Sequence, residues 1–268
     1  MTLALLAFLA GLLIGSFLNV CIFRLPRDLS VIMPARSFCP ECEHTIAWYD
    51  NIPVISFFVL GARCRHCKAR IRVRYLIVEI GAGAAFAVCV AYLGLTLPAL
   101  KYCVYSAIMI ALTASDLEER ILPDEFTLGG TVIGLAFAPF VPMERYFVAM
   151  LVPLSWGQRW QSFGESAFGA VAGSGSIWLV GWLYYKVRHR EGLGLGDVKM
   201  IAMIGAFVGL RESLLTLILA SVAGSVVGLA YIKLTKKDAA TYELPFGSFL
   251  GATALLLALW TNVILGIK

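Results

Sequence analysis

Charged side chains are scarce in this sequence, and their scarcity argues against a soluble protein. Only 15% of the 268 residues are charged, 60% are hydrophobic, and the mean hydropathy is +0.83. A soluble domain has about 25% charged and about 45–50% apolar residues. We therefore expect lipid to surround most of the chain.

The first apolar run, over residues 3–23, lacks the features of a removable secretory leader. No basic segment precedes this run, and no small-residue cleavage site follows it. A secretory signal peptide has both features. Because Arg24 follows the run directly, the sequence favours a first spanning helix.

Long apolar runs recur along the chain and predict an all-α polytopic membrane protein. A helix needs about 20 mostly apolar residues to cross a hydrocarbon layer of about 30 Å. The shorter run 200–210 should form a short helix packed inside the bundle, which gives about eight transmembrane helices. The other predicted spans are 3–23, 76–96, 99–115, 127–142, 167–186, 213–232 and 246–266.

Positive charge is concentrated in a few loops, which predicts the orientation of the chain. The net charge is +5, and nine Lys and Arg residues lie within 24–75. Short loops rich in Lys and Arg remain in the cytoplasm. We expect 24–75 and the basic clusters at 186–199 and 233–237 to be cytoplasmic, and both chain termini to be periplasmic. Such loops attract anionic lipid, and nucleic acid is not an expected partner.

Four of the seven cysteines form two CxxC pairs separated by 21 residues. Such pairs can surround one tetrahedral zinc ion, and four thiolates leave no open position for a catalytic water. The reducing cytoplasm disfavours disulfides in this loop. The sequence therefore predicts a structural zinc site, although His66 could replace one ligand. The predicted ligands are Cys39, Cys42, Cys64 and Cys67, whereas Cys21, Cys89 and Cys103 are expected to be packing residues.

Two aspartates fall at membrane depth, where ionisable residues are costly and usually functional. Asp116 ends the third predicted span, and Asp197 follows Gly194 and Gly196 in a glycine-rich segment. The predicted topology puts both carboxylates at the cytoplasmic side. Two adjacent carboxyl groups share one proton and can activate a water molecule against a peptide carbonyl. The pair titrates as a unit, so neither aspartate receives a separate role.

Other interpretations of these acidic residues remain open from the sequence. Asp116 could be an ordinary boundary residue, and Asp197 could cap a helix with Lys199 as its counter-charge. Asp124 is the main rival to Asp116, although Leu122-Pro123-Asp124 favours a turn and a helix start. A nucleotide-binding loop is disfavoured, because no strand precedes the glycines and no Gly-Lys-Ser/Thr ending follows them.

The order of motifs resembles the type IV prepilin peptidases, or leader peptidase/N-methyltransferases, which are GxGD membrane aspartyl proteases. The likeness covers almost the whole chain. Besides the two CxxC pairs, its motifs are Gly15-Ser16-Phe17-Leu18-Asn19-Val20-Cys21, Arg24-Leu25-Pro26, Asn51-Ile52-Pro53-Val54, Arg74-Tyr75 with Glu79, Asp116-Leu117, Leu122-Pro123-Asp124, Gly194-Leu195-Gly196-Asp197-Val198-Lys199 and Pro245-Phe246-Gly247.

The resemblance implies a bacterial inner-membrane enzyme with eight spans and a cytoplasmic zinc-binding loop domain. Such an enzyme cleaves the leader of prepilins or pseudopilins, the substrates of type IV pilus and type II secretion systems. It also methylates the new N-terminus with S-adenosyl-L-methionine as methyl donor.

The same resemblance suggests a role for each matching position. Asp116 and Asp197 would be catalytic, and the four loop cysteines would bind the metal. Gly194, Gly196 and Lys199 would support the active-site loop, and Asn19 and Glu79 would line the methyl-transfer site. The expected domains are a first transmembrane helix (1–23), a methyltransferase-associated zinc domain (24–75) and a protease bundle (76–268).

The sequence departs from the family pattern at a few places. Leu76 follows Tyr75 where the family commonly has Pro, and Ser248 replaces the last Pro of a Pro-Phe-Gly-Pro motif. We expect neither change to touch the aspartates. The segment 143–166, with Trp156 and Trp160, has no match and predicts an interfacial stretch.

Two other functions compete with leader cleavage. A transporter or channel with a structural zinc loop is disfavoured, because transporters often carry paired broken helices and only one glycine-rich break is present. A presenilin-like protease that cuts generic membrane helices is also possible, and the cysteine loop argues against it.

Overall fold

The fold is known from a computed structural model that describes residues 1–144, 146–148, 157–189, 194–235 and 244–266. Within these ranges the only β pairing is two isolated bridges, Phe38 with Thr45 and Arg63 with Arg70. The α-helices are α1 (Thr2–Arg24), α2 (Ile55–Val59), α3 (Val73–Leu93), α4 (Leu97–Glu119), α5 (Asp124–Phe137), α6 (Gln158–Arg188), α7 (Leu195–Thr235) and α8 (Phe246–Ala258).

Among the described residues, six helices are long and apolar enough to cross a membrane. They are α1, α3, α4, α6, α7 and α8, the last together with a π-helical extension that ends at Ile264. Many large apolar side chains on α1 and α7 are exposed, as expected where lipid replaces water around the helices. These helices confirm the prediction of an all-α multi-pass membrane protein.

Helix α7 is broken at Gly209, whose φ of 84° and ψ of 175° are not helical. A Cβ atom on Gly173 of α6 would lie 3.3 Å from Ile201 and 3.2 Å from Ser213, which flank the break. Twelve residues of straight helix span about 18 Å, too far for both side chains to reach one point. The chain therefore bends sharply at Gly209 into the segments 195–208 and 210–235.

The described residues contain six candidate membrane spans, so the predicted count of about eight is approximate. The second segment of α7 and the 14-residue α5 are further helical segments in this part of the chain. Segment 195–208 corresponds to the short packed helix expected near 200–210, and seven of its 14 residues are buried, all between Met200 and Phe207. This segment contains Asp197, so the break at Gly209 places Asp197 on a short helical segment that is separate from 210–235.

Some predicted boundaries differ from the structure. Helix α6 begins at Gln158, before the expected start at 167, so Trp160 lies in a helix rather than in a separate interfacial stretch. Helix α5 ends at Phe137 instead of 142. Trp156, and the basic residues Arg190, Lys236 and Lys237, lie outside the described residues.

The chain divides into two compact units, Met1–Ser115 and Asp116–Lys268. In the first unit, α1 packs closely along α3, because a Cβ atom on Gly15 would lie 2.6 Å from the Cα of Glu79. In the second unit, α6 and α7 cross just as closely at Gly169 and Gly205. Small residues allow helix backbones to approach in this way within membranes.

Candidate active site and metal centre

Asp116 lies in the last turn and a half of α4 and is only 6% exposed. Its Oδ2 atom accepts two hydrogen bonds from Ser248, one from the backbone N–H at 2.5 Å and one from Oγ at 2.7 Å. Ser248 is the third residue of α8. The N-terminus of α8 therefore faces the carboxylate, where unpaired backbone N–H groups favour a negative charge.

Gly247 leaves the space that the Asp116 carboxylate occupies. A Cβ atom on Gly247 would lie 3.0 Å from Asp116 Cγ and 3.1 Å from Leu122 Cδ1. Both distances are shorter than ordinary van der Waals contacts. A side chain at this position would have to displace the carboxylate or the leucine.

Asp197 is half-buried in the first turn of α7, where its backbone N–H donates to the carbonyl of Gly194 at 3.2 Å. The helix begins at Leu195, so Asp197 does not occupy the cap position itself. Its carboxylate is near enough to Asp116 to interact with it electrostatically. The structure thus brings the two predicted catalytic aspartates together.

Leu122 lies between the segments that carry the two aspartates. Its Cδ1 would be 3.2 Å from a Cβ atom on Gly196 and 3.1 Å from one on Gly247. The two glycines let both backbones rest against a single leucine side chain. Gly196 and Gly247 therefore permit the segments that carry or contact the two aspartates to pack on the same side chain.

Lys199 forms an ion pair with Asp124 rather than with Asp197. Its Nζ atom lies 2.7 and 2.8 Å from the two carboxylate oxygens of Asp124. Asp124 is the first residue of α5, as the Leu-Pro-Asp pattern predicted. Asp124 is thus part of a salt bridge, which weakens it as a rival to Asp116.

The four cysteines of the loop fit one tetrahedral metal ion. The Sγ atoms of Cys39, Cys42, Cys64 and Cys67 all lie within 4.8 Å of one another. Cys39 Sγ and Cys67 Sγ are 3.8 Å apart, and tetrahedral zinc with Zn–S bonds of about 2.3 Å requires about 3.8 Å. The donor set therefore suits zinc, and His66 instead stacks on His44 with ring centroids 3.6 Å apart.

Both CxxC pairs adopt the same backbone turn. The Cys39 carbonyl accepts from Glu43 N–H at 2.8 Å, and the Cys64 carbonyl accepts from Lys68 N–H at 3.1 Å. Glu43 and Lys68 have φ values of 55° and 61°. Hydrogen bonds from the backbone N–H groups of Cys67 and His66 lower the pKa of the Cys64 thiol to about 7. The turn therefore favours the thiolate that a metal needs.

The first unit also contains a cavity of about 230 Å³, bordered by α1, α3 and the cysteine loop. Asn19, 2% exposed, donates from Nδ2 to the Tyr75 carbonyl at 3.0 Å, while its buried Oδ1 has no hydrogen-bond partner. Glu79, 8% exposed, accepts the Val54 N–H at 2.7 Å. Both side chains line the cavity, and a buried acceptor without a partner suits a ligand that donates a hydrogen bond.

Arg24 organises the chain that enters the cysteine loop. Its buried guanidinium donates to the carbonyls of Ser30, Val31 and Pro34 at 2.9–3.0 Å and to that of Arg36 at 3.2 Å. An arginine satisfies several acceptors at once because its donors form a rigid fork. Arg24 therefore has a structural role that the positive-inside pattern did not reveal.

Comparison with known proteins identifies the family of the chain. Residues 9–93 match the model described as the bacterial peptidase A24 N-terminal domain, and residues 103–229 match the type IV leader peptidase family. The chain belongs to the type IV leader peptidase family. No solved structure matches it.

Several curated relatives carry the name prepilin leader peptidase/N-methyltransferase. The Myxococcus xanthus relative is 38% identical over 87% of this chain and 64% of its own length. The relative from Pseudomonas putida is 34% identical, over 97% of this chain and 91% of its own length. The Pseudomonas aeruginosa relative is 30% identical over 96% of this chain and 90% of its own length. The similarity thus extends over nearly the whole chain.

Ser248 and Leu122 are site residues that the sequence analysis did not assign. Ser248 was expected to have no bearing on the aspartates, and that expectation is wrong because Ser248 donates two hydrogen bonds to Asp116. The two residues are 132 positions apart in the chain, so only the fold shows that they meet. The sequence did contain one signal for this position, because Ser248 replaces the last Pro of the Pro-Phe-Gly-Pro motif.

Proposed function

We propose that this chain is an aspartyl protease that cleaves the leader of type IV prepilins or pseudopilins and methylates the new N-terminus. The observation that carries the proposal is the meeting of Asp116 and Asp197 at adjoining helix ends. The names of the relatives support the choice of substrate and the second activity.

Asp116 and Asp197 would act as one pair with a shared proton. The ionised carboxylate takes a proton from water while the water oxygen attacks the scissile carbonyl carbon. The protonated carboxyl group donates its proton to the carbonyl oxygen to give a tetrahedral diol. As the C–N bond breaks, the other carboxyl group passes the proton taken from water to the leaving amine nitrogen, and the first regains its proton from a diol hydroxyl, which leaves the leader as a carboxylic acid. The proposal assigns the shared proton to the pair and not to either residue.

Methylation would take place in the cavity of the first unit. S-adenosylmethionine supplies the methyl group when it is bound. The buried Oδ1 of Asn19 and the carboxylate of Glu79 would hold the amino group of the mature substrate. Glu79 would also accept the proton that the ammonium must lose before it can act as a nucleophile.

The zinc ion would hold the two CxxC turns together without taking part in either reaction. Four thiolate ligands leave no position open for water. We further propose that the cysteine loop and both aspartates face the cytoplasm of a bacterial inner membrane, with both termini in the periplasm. Lys and Arg enrichment of the loop supports this orientation.

The test is incubation of the purified protein with a prepilin, with and without S-adenosylmethionine, followed by mass spectrometry of the product. We expect loss of the leader in both samples and a gain of one methyl group only with the donor. Asp116→Asn and Asp197→Asn should reduce cleavage by about a thousandfold or more, because an amide cannot transfer the proton.

Asp124→Asn is the matched control, because Asp124 begins α5 and is paired with Lys199. This variant should lose at most several-fold in cleavage, far less than the aspartate-pair variants, because it weakens only the ion pair with Lys199. The methylation of substrate that has already been cleaved should persist in all three variants and show that they are folded. Full cleavage by either Asp116→Asn or Asp197→Asn would contradict the proposal.

A further inference from the structure

Ser248 donates hydrogen bonds to one carboxylate oxygen of Asp116 through both its backbone and its side chain. The N–H and the Oγ atom donate to the same atom, Asp116 Oδ2, at 2.5 and 2.7 Å. Both side chains are buried. A buried carboxylate oxygen that accepts two hydrogen bonds is held in one orientation, because losing either bond costs free energy.

The arrangement distinguishes the two oxygens of Asp116. Oδ2 accepts two hydrogen bonds, one for each of its lone pairs, so a proton on that atom would cost one of them, whereas a proton on Oδ1 keeps both. A proton carried by Asp116 therefore belongs on Oδ1. For the same reason Oδ1 is the oxygen that can exchange a proton with water or substrate.

We propose that Ser248 is a positioning residue that orients the Asp116 carboxylate so that Oδ1 is its reacting oxygen. This inference rests on the proposed leader cleavage. Ser248 acts through Asp116 and does not itself exchange a proton with the substrate. Gly247 completes the arrangement, because a Cβ there would lie 3.0 Å from Asp116 Cγ.

A purely structural role is the alternative. Asp116 would then serve only to satisfy the N-terminal N–H groups of α8. Removing the hydroxyl would lower thermal stability and the amount of folded protein, but each folded molecule would cleave at the normal rate. The two roles therefore differ in kcat measured per folded molecule.

The test compares Ser248→Thr with Ser248→Val, which have nearly the same shape and differ in the hydroxyl group. We expect the valine variant to have a kcat for prepilin cleavage about tenfold lower than the threonine variant, as for the loss of one hydrogen bond to a charged group. KM should agree within about twofold, because the substrate does not contact Ser248. Ser248→Thr should retain kcat within about threefold of the wild type.

Folded protein is counted by size-exclusion chromatography and thermal unfolding of each purified variant, which also report on the unit that carries Ser248. Ser248→Ala provides a second comparison if the larger side chains fold poorly, and it should lose kcat as the valine variant does. Equal kcat values for the threonine and valine variants would overturn the inference. Failure of the wild type to cleave would instead contradict the proposed function.

Discussion

Lys199 Nζ lies 2.7 and 2.8 Å from the two carboxylate oxygens of Asp124 and joins the fifth residue of α7 to the first residue of α5. The side chains are 36% and 54% exposed. Exposed ion pairs contribute only about 0–1 kcal/mol to stability. The pair therefore serves to align two helix starts, one of which carries Asp197.

The first prediction concerns this alignment. Lys199→Ala and Asp124→Ala should each reduce cleavage several-fold, because each releases the start of α7 from that of α5. The double variant should lose no more activity than the less active of the two single variants, since both changes remove the same contact. The measurement is kcat/KM for prepilin cleavage. Additive losses in the double variant would show that Lys199 acts on something other than Asp124.

The second prediction concerns the space beside Asp116. Gly247→Ala should reduce cleavage by about tenfold or more, because its Cβ would lie 3.0 Å from Asp116 Cγ and 3.1 Å from Leu122. Crowding of this kind displaces neighbouring side chains. Gly129→Ala in α5 is the matched control, because nothing lies within 4 Å of a Cβ at that position. Activity should be measured per folded molecule, and equal activity of the two variants would contradict the prediction.

The sequence predicted those features that follow from local composition. Apolar runs predicted the helices because lipid forces each span to satisfy its own backbone. Paired cysteines predicted the metal site because four thiols at that spacing suit one tetrahedral ion. The structure brings together the four cysteines and, separately, the two aspartates.

Other features depend on distant contacts and could not be predicted from local patterns. The partner of Lys199 is Asp124, 75 positions away, whereas the sequence also left open a pairing with the nearer Asp197. The break at Gly209 occurs inside an apolar run that contains no proline, the residue that usually indicates a kink. The early start of α6 at Gln158 also escaped prediction, because its first turns are polar. In each case tertiary packing decides the outcome.

The third prediction concerns the thiols of the metal-free cysteine loop. Because backbone N–H groups lower the pKa of Cys64 to about 7, its alkylation rate should rise with pH and reach half its maximum near pH 7. An ordinary thiol would do so near pH 8.5. The measurement is the alkylation rate of Cys64 between pH 5 and pH 10, followed by peptide mass spectrometry.

Zinc provides the control for that measurement. Bound metal should protect all four cysteines from alkylation, and acidification should release it because protons compete for the thiolates. Cys39→Ser should lower the zinc content below one ion per chain. A Cys64 midpoint near pH 8.5 in the metal-free protein would contradict the predicted turn geometry.

The fourth prediction separates the two activities. Glu79→Gln should reduce methylation by about a hundredfold or more, because the amide cannot accept a proton from the substrate ammonium. The amide oxygen can still accept the hydrogen bond from the Val54 N–H, which the carboxylate accepts at 2.7 Å. Leader cleavage should remain near the wild-type rate, since Asp116 and Asp197 belong to the other unit. Asp28→Asn, an exposed carboxyl change in the first unit away from the cavity, should leave both activities unchanged. Normal methylation by Glu79→Gln would remove Glu79 from the methyl-transfer site, whereas parallel loss of both activities would indicate misfolding.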